Sequence, residues 1–390
     1  MRTTIANGTR KKKESNRMER ISNYQIAVMI ILFQIGSTPL FAIGSKAKQD
    51  SWVAMIVAAI IGLILLRMFL YIQSIAPDQS LIFLMRICFG KIAGGILSCC
   101  FLIYFAYESM RNVRDFGEIT SVTLLTRTPK FVVMLLVILL AAYTIIMGIE
   151  TFCRVAESLI LPILFSYSIL CLLIFGSKLV KLERIQPIME KGFKPILTAA
   201  FPDLVSFPFG QMVVFLMFWH LMSDNNKVKR ISTFTYLGVA VFLVGMNMIN
   251  VLVLGPSLIG NSTLPFLQTV QLIQVGDIFE RLDVFVTLLL FLGLFVKLTA
   301  FFWAASYGVS QLTGCRAKVS IGIVGAVIFA SSFLEPNYTY HIWLGLAVSV
   351  KLFPIFQILL PLAMFIAILF RKLKKHPPSE DTPAPRENAC

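Results

Sequence analysis

Apolar runs of about twenty residues, each long enough to cross ~30 Å of hydrocarbon, follow one another along almost the whole chain. A bilayer core offers no water to bond exposed backbone groups, so a spanning segment is either a helix or a strand of a closed barrel. Unbroken apolar runs, rather than alternating ones, select the helix. Ten such runs are predicted, near residues 22–44, 52–73, 92–125, 131–148, 155–176, 195–222, 230–254, 277–312, 319–334 and 341–370. With 57% hydrophobic and 14% charged residues in 390, the chain is too apolar for a soluble domain of this size. The expected division is a basic tail (1–21), a ten-span membrane domain (22–371) and a disordered polar tail (372–390), with little left for an extramembrane domain.

Lysine and arginine in short flanks set the orientation of such a domain. Arg10, Lys11, Lys12, Lys13, Arg17 and Arg20 precede the first run, and Arg371, Lys372, Lys374 and Lys375 follow the last. An even number of spans places both tails together, hence both in the cytoplasm. Lys178, Lys181, Arg184, Lys191 and Lys194 run against this rule, because they fall in an outer connection. The net charge of +15 belongs to these flanks and is not a nucleic-acid footprint. The first run lacks a small-residue cleavage site and is long enough to remain a span, so no signal peptide is expected.

Seven scattered cysteines without framework spacing are expected to be reduced and structural. His220, His341 and His376 lack metal-ligand spacing, and no phosphate-loop, dinucleotide or nucleophile-elbow pattern occurs. Neither a metal nor a cofactor is expected, and the chain is not read as an enzyme.

Charges inside the third run are costly, about 3 to over 10 kcal/mol each depending on the scale, and such residues mark pathways, ligands or internal pairs. At helical spacing Glu108, Arg111, Asp115 and Glu118 share one face. Lys297 lies about twenty residues into the eighth run and cannot easily reach an interface, so an acidic partner such as Glu108, Asp115 or Glu118 is expected. Lys351 poses the same problem, whereas Arg67 is expected to snorkel.

The first and sixth runs contain helix breakers at matching positions of two five-span halves. Gly36, Ser37, Thr38 and Pro39 interrupt the first; Pro202, Ser206, Phe207, Pro208, Phe209 and Gly210 interrupt the sixth. Paired broken helices point to an inverted-repeat transporter fold with a ligand site at the midplane. Gly36, Ser37 and Thr38 would form one wall, with Ser206, Phe207 and Gly210 opposite. Tyr104, Tyr107, Glu108, Arg111, Lys297 and Thr299 complete the candidate ligand-binding set. Close packing by small residues and internal ion pairing are the structural alternatives for these positions.

ISNYQ (21–25), QIGSTPLF (34–41), Thr128-Pro129, Gly148 with Glu150, Arg154 and Glu157, PIMEKGFKPIL (187–197), SFPFG (206–210), VGDIFERLD (275–283) and FVKLT (295–299) occur in an order that resembles the B subunits of spore germinant receptors. That family is the spore germination permease family, within the amino acid/polyamine/organocation superfamily. The resemblance implies an all-α fold of ten transmembrane helices like that of leucine-type transporters, with helices 1 and 6 broken. It further implies the inner membrane of a bacterial endospore, A and C partner subunits, and a small nutrient ligand, commonly an amino acid. Gln211 departs from the glutamate expected there, and an amide cannot titrate. An amino-acid permease is the rival reading, and a scaffold or an ion or water path is the third. The uncharged stretch 255–276, with Leu258, Ile259, Leu264, Phe266 and Leu267, is expected to suit a partner interface.

Overall fold

The computed structural model describes residues 20–371 except 37, 42–43, 178, 260–261, 263 and 274–281. Ser37, both tails and most of the 275–283 motif therefore lie outside the described residues. Within them every element is helical, apart from one isolated bridge between Ile21 and Met222.

Among the described residues seven helices are long and apolar enough to cross a membrane, and three shorter apolar helices stand among them. All fall on the predicted runs. In chain order they are α1 (Asn23–Ile35), α2 (Ser51–Ile75), α3 (Lys91–Thr123), α4 (Lys130–Ile146), α5 (Ile149–Gly176), α6 (Phe193–Met217), α7 (Val228–Leu254), α8 (Asp283–Thr313), α9 (Ala317–Ser331) and α10 (Tyr338–Phe370). By length alone α1, α4 and α9 fall short of a full span. α1 is short because its breaker sequence ends it in mid-run.

Local sequence explains the ends. Ser22 caps α1 by accepting from the Gln25 amide while the Gln25 side chain accepts from the Ser22 amide, so two orphan donors are satisfied reciprocally. Gly314 closes α8 at φ 74°, a left-handed position that other residues rarely take. After Gly36, α1 gives way to a tight turn at Thr38–Leu40, and the turns Ser45–Asp50 then lead into α2. In α6 the helix Phe193–Ala199 yields to a wide turn in which Phe201 is extended (φ −122°, ψ 130°), and Phe209–Met217 continues as a tighter helix.

Counterparts of the two five-helix halves pack on one another. α2 lies on α7, α3 on α8 and α4 on α9. α1 meets α6 through Phe33 and Phe215, ring centroids 5.4 Å apart, and through the Ile21–Met222 bridge. Such pairing is what a twofold relation between halves requires, because elements near the axis meet their own mates. The α3–α8 contact is the most extensive among the described elements, and Glu108, Arg114 and Asp115 of α3 are buried.

The discordant basic loop has a local reason. Arg184 donates to the Leu252 carbonyl at 3.2 Å and to that of Val253, and the Lys181 amide reaches Leu252. A guanidinium there meets the unbonded carbonyls and the negative end of α7. Arg184→Ala should lower thermal stability modestly, by about 0.5–1.5 kcal/mol, and a calorimetric scan of the purified protein checks it.

The outer apolar stretch is not the exposed patch that its sequence suggests. Pro256–Ile259 and Pro265–Gln271 form short helices, the second folded back against α7 and α8. Ile259 and Phe266 are buried and Phe266 packs on Tyr167, which leaves only Leu258 of the five largely exposed. Its hydrophobicity serves the chain's own core. Lys351 is not buried among the other helices but lies on an exposed face of α10, as Arg67 does on α2.

Candidate functional site

The buried stripe of α3 carries Phe101, Tyr104, Phe105, Glu108, Asn112 and Asp115 at helical spacing. Where this stripe meets the broken part of α6 and the start of α10, a small cleft opens, with a cavity volume of about 60 Å³. Glu108, Arg111, Asn112 and Asp115 line one side. Phe41, Phe207 and Gln211, from the two broken segments, line the second. Ile342, Gly345, Leu346, Val350 and Phe353 of α10 form the third. A mainly apolar lining with a few convergent charges is the usual character of a small-molecule site.

Polar contacts lock the three walls together. Gln211 Nε2 donates to a Glu108 carboxylate oxygen at 2.9 Å, while the other oxygen of Glu108 is buried with no hydrogen-bond partner among the described residues. The amide at 211 thus acts as a donor. A carboxylate there would face Glu108 as a like charge unless one of the two held a proton. Gln357 Nε2 donates to the Tyr104 hydroxyl at 2.8 Å and to the Ser206 carbonyl at 3.0 Å, and the Tyr107 and Ser349 hydroxyls are 2.6 Å apart. Ser349 and Gln357 belong to two wide π turns of α10, Leu344–Ser349 and Ile355–Leu359. Such turns shift helix register by a residue and recur at functional sites.

A second lattice closes the far side of the cleft. His341 is buried between Asp115, 3.1 Å from its Nε2, and Glu335, which its Nδ1 meets closely. The Tyr338 hydroxyl donates to Asp115 at 3.2 Å, and Arg111 donates to the His341 carbonyl at 3.0 Å. Arg114 pairs with Glu118 at 2.7 Å and donates to the Ser332 carbonyl, and Lys130 also holds Glu118. These bonds tie the turn between α9 and α10 to α3. Glu335 stands in that turn: burial pushes its carboxyl up, but the His341 hydrogen bond and charge, with Arg111 and Arg114, outweigh burial and hold it below its ordinary range. A depressed carboxyl contributes stability above its unfolded pKa, so this tie should weaken as pH falls below about 4. His341→Leu should remove the imidazole that joins Asp115 to Glu335, leaving Asp115 only the Tyr338 hydroxyl and Glu335 only the more distant Arg111, at a cost of about 3–5 kcal/mol, read as loss of membrane-integrated protein.

Of the sequence-predicted residues, Glu108, Arg111 and Phe207 line the cleft. Tyr104, Tyr107 and Ser206 stand behind it, each bonded to α10. Thr38, in the turn after α1, donates its hydroxyl back to the Gln34 carbonyl at 2.6 Å, and the Thr299 hydroxyl is buried with no hydrogen-bond partner among the described residues. Gly36 and Gly210 serve close approach: a Cβ on Gly36 would lie 2.6 Å from the Gly293 carbonyl oxygen, and one on Gly210 would strike Gln357. Lys297 is fully buried beneath the cleft, its ammonium 4.0 Å from the centre of the Phe207 ring. Among the described residues none of the three expected acids forms an ion pair with it. The α10 wall, His341 and Glu335 are absent from the sequence-derived set. The signal was an acid six residues before a histidine at the mouth of an apolar run, a pattern too common to single out.

Helices broken in pairs around a central charged cleft define a polytopic membrane protein of the leucine-transporter-like class. The structure resembles that of Mhp1, a nucleobase-cation-symport-1 family transporter in a closed conformation, with a TM-score of 0.66 and 17% identity over 91% of this chain and 80% of that one. It also resembles a Na+-coupled sialic acid symporter in an outward-open state, with a TM-score of 0.61 and 14% identity over 86% and 77%. The family described as "Spore germination protein" matches residues 20–341, and the chain belongs to it. Spore germination protein KB of Bacillus subtilis (strain 168) is 30% identical over 91% of this chain and 96% of its own length. Spore germination protein YndE of the same organism is 23% identical over 90% and 97%.

Proposed function

We propose that the chain is the nutrient-sensing subunit of a spore germinant receptor, which binds a small nutrient such as an amino acid in the central cleft and signals to A and C partner subunits. Residence in the inner membrane of the endospore, with both tails in the cytoplasm, belongs to this reading. One observation carries it. Glu108 and Arg111, opposite charges one helical turn apart, line the same cleft between two broken helices, and one buried carboxylate oxygen of Glu108 has no hydrogen-bond partner among the described residues. A zwitterion would set its ammonium on Glu108 and its carboxylate on Arg111, with its side chain among Phe41, Phe207 and Phe353. Ligand shifts the receptor only by its differential affinity for two states. The contacts best placed to differ join α10 to α3 and α6 through Gln357, Ser349 and Arg111.

An amino-acid permease is the second reading, favoured by the transporter fold of both structural neighbours. Two experiments separate them. Spores lacking the chain should fail to germinate on one nutrient or nutrient class, and reconstituted vesicles should bind that nutrient without accumulating it. Concentrative uptake would instead establish the permease, and unchanged germination on every nutrient would overturn the sensor.

A further inference from the structure

Lys297 stands at the junction of three elements. It follows Gly293 by four residues, one turn along the same face of α8, and Gly293 is in backbone contact with Gly36 at the break of α1. Its ammonium lies over Phe207 of the α6 break at 4.0 Å and over Phe33 of α1 at 5.5 Å, so one charge touches both broken helices. It is fully buried and has no hydrogen-bond partner among the described residues. The acids whose charge reaches it are Glu108 and Asp115, neither of them in hydrogen-bond contact.

An ion pair made for structural glue would close to contact distance, because burying two charges is repaid only by good geometry and full hydrogen bonding. Lys297 is instead held at a distance, by ring faces that attract a cation. In folds with paired broken helices the unwound segments and their neighbours create a negative, cation-seeking environment at the midplane. We infer that Lys297 is the resident monovalent cation of this junction, tethered to α8, so that the chain holds its broken helices closed with no dissociable alkali ion. The long flexible stem delivers a compact point charge to a place that a free ion would otherwise occupy.

The inference does not depend on what the cleft binds, and its test needs no nutrient. Purified full-length chain is melted in Na+, K+, Li+ or choline chloride at equal total salt, as wild type, Lys297→Ser and Lys297→Arg. Wild type and Lys297→Arg, which carry their own cation, should melt at the same temperature in all four salts. Lys297→Ser, with the ammonium removed and room opened, should melt lower in choline and regain about 3 °C or more, saturably, with at least one alkali ion. A saturable alkali-ion stabilisation of the wild type would overturn the inference, as would a folded Lys297→Ser that is indifferent to all four salts. If Lys297→Ser yields no folded protein, equal melting of wild type and Lys297→Arg in every salt sustains it, and an alkali response in either overturns it.

Discussion

Glu108→Gln is expected to leave the chain in the membrane near its wild-type amount and to abolish, or shift by about 10- to 100-fold, the concentration of nutrient needed to trigger it. The size follows from losing a charge-assisted contact to a cationic group, about 1.5–3 kcal/mol, at 1.4 kcal/mol per tenfold. The fold should tolerate the change because glutamine keeps the shape and can still accept from Gln211, whose amide donates to Glu108 at 2.9 Å. Lys297 loses its principal counter-charge, so a small drop in melting temperature is expected beside the functional loss. Germination curves of complemented spores, set against immunoblots of their membranes, check both parts.

Gly36→Leu is expected to act through folding. On sequence alone this leucine would fill ligand space in a span that still inserts, but the structure puts Gly36 elsewhere. Its Cβ would lie 2.6 Å from the Gly293 carbonyl oxygen and 2.8 Å from that of Leu32, and backbone cannot yield as a flexible side chain can. Overpacking ordinarily costs about 1–3 kcal/mol, and a backbone-to-backbone contact belongs at or beyond the top of that range. The chain should therefore be largely lost from the membrane. Gly95→Leu, on α3 where a Cβ meets nothing within 4 Å, should accumulate normally. Comparable amounts of the two variants would place the α1–α8 contact elsewhere.

How far the molecule is legible in its sequence follows from the range of each signal. Span positions rest on local hydropathy: seven of the ten expected segments are helices long and apolar enough to span, and the other three are shorter apolar helices among the described residues. The breaks in α1 and α6 rest on Gly and Pro, whose backbone effects are local, and they stand where expected. The charged face of α3 was legible because one helix carries all of it. The α10 wall was not, since its contribution depends on two π turns, and π turns have no composition of their own. Lys297 was identifiable as a buried charge, yet its neighbours Phe33 and Phe207 come from distant segments, and ring faces replaced the carboxylate that was expected. The stretch 255–276 misled for a related reason: an uncharged loop reads the same whether it covers a partner or its own core.

The central claim is that a nutrient occupies the cleft between α3, α6 and α10. Its most direct test is binding of the nutrients that require this chain for germination to the purified protein, followed by calorimetry or thermal shift. The account predicts saturable binding to the wild type, at least tenfold weaker binding to Glu108→Gln, and unchanged binding to Arg184→Ala. Binding of equal strength to wild type and Glu108→Gln, or no binding of any nutrient that genetically requires the chain, would contradict it.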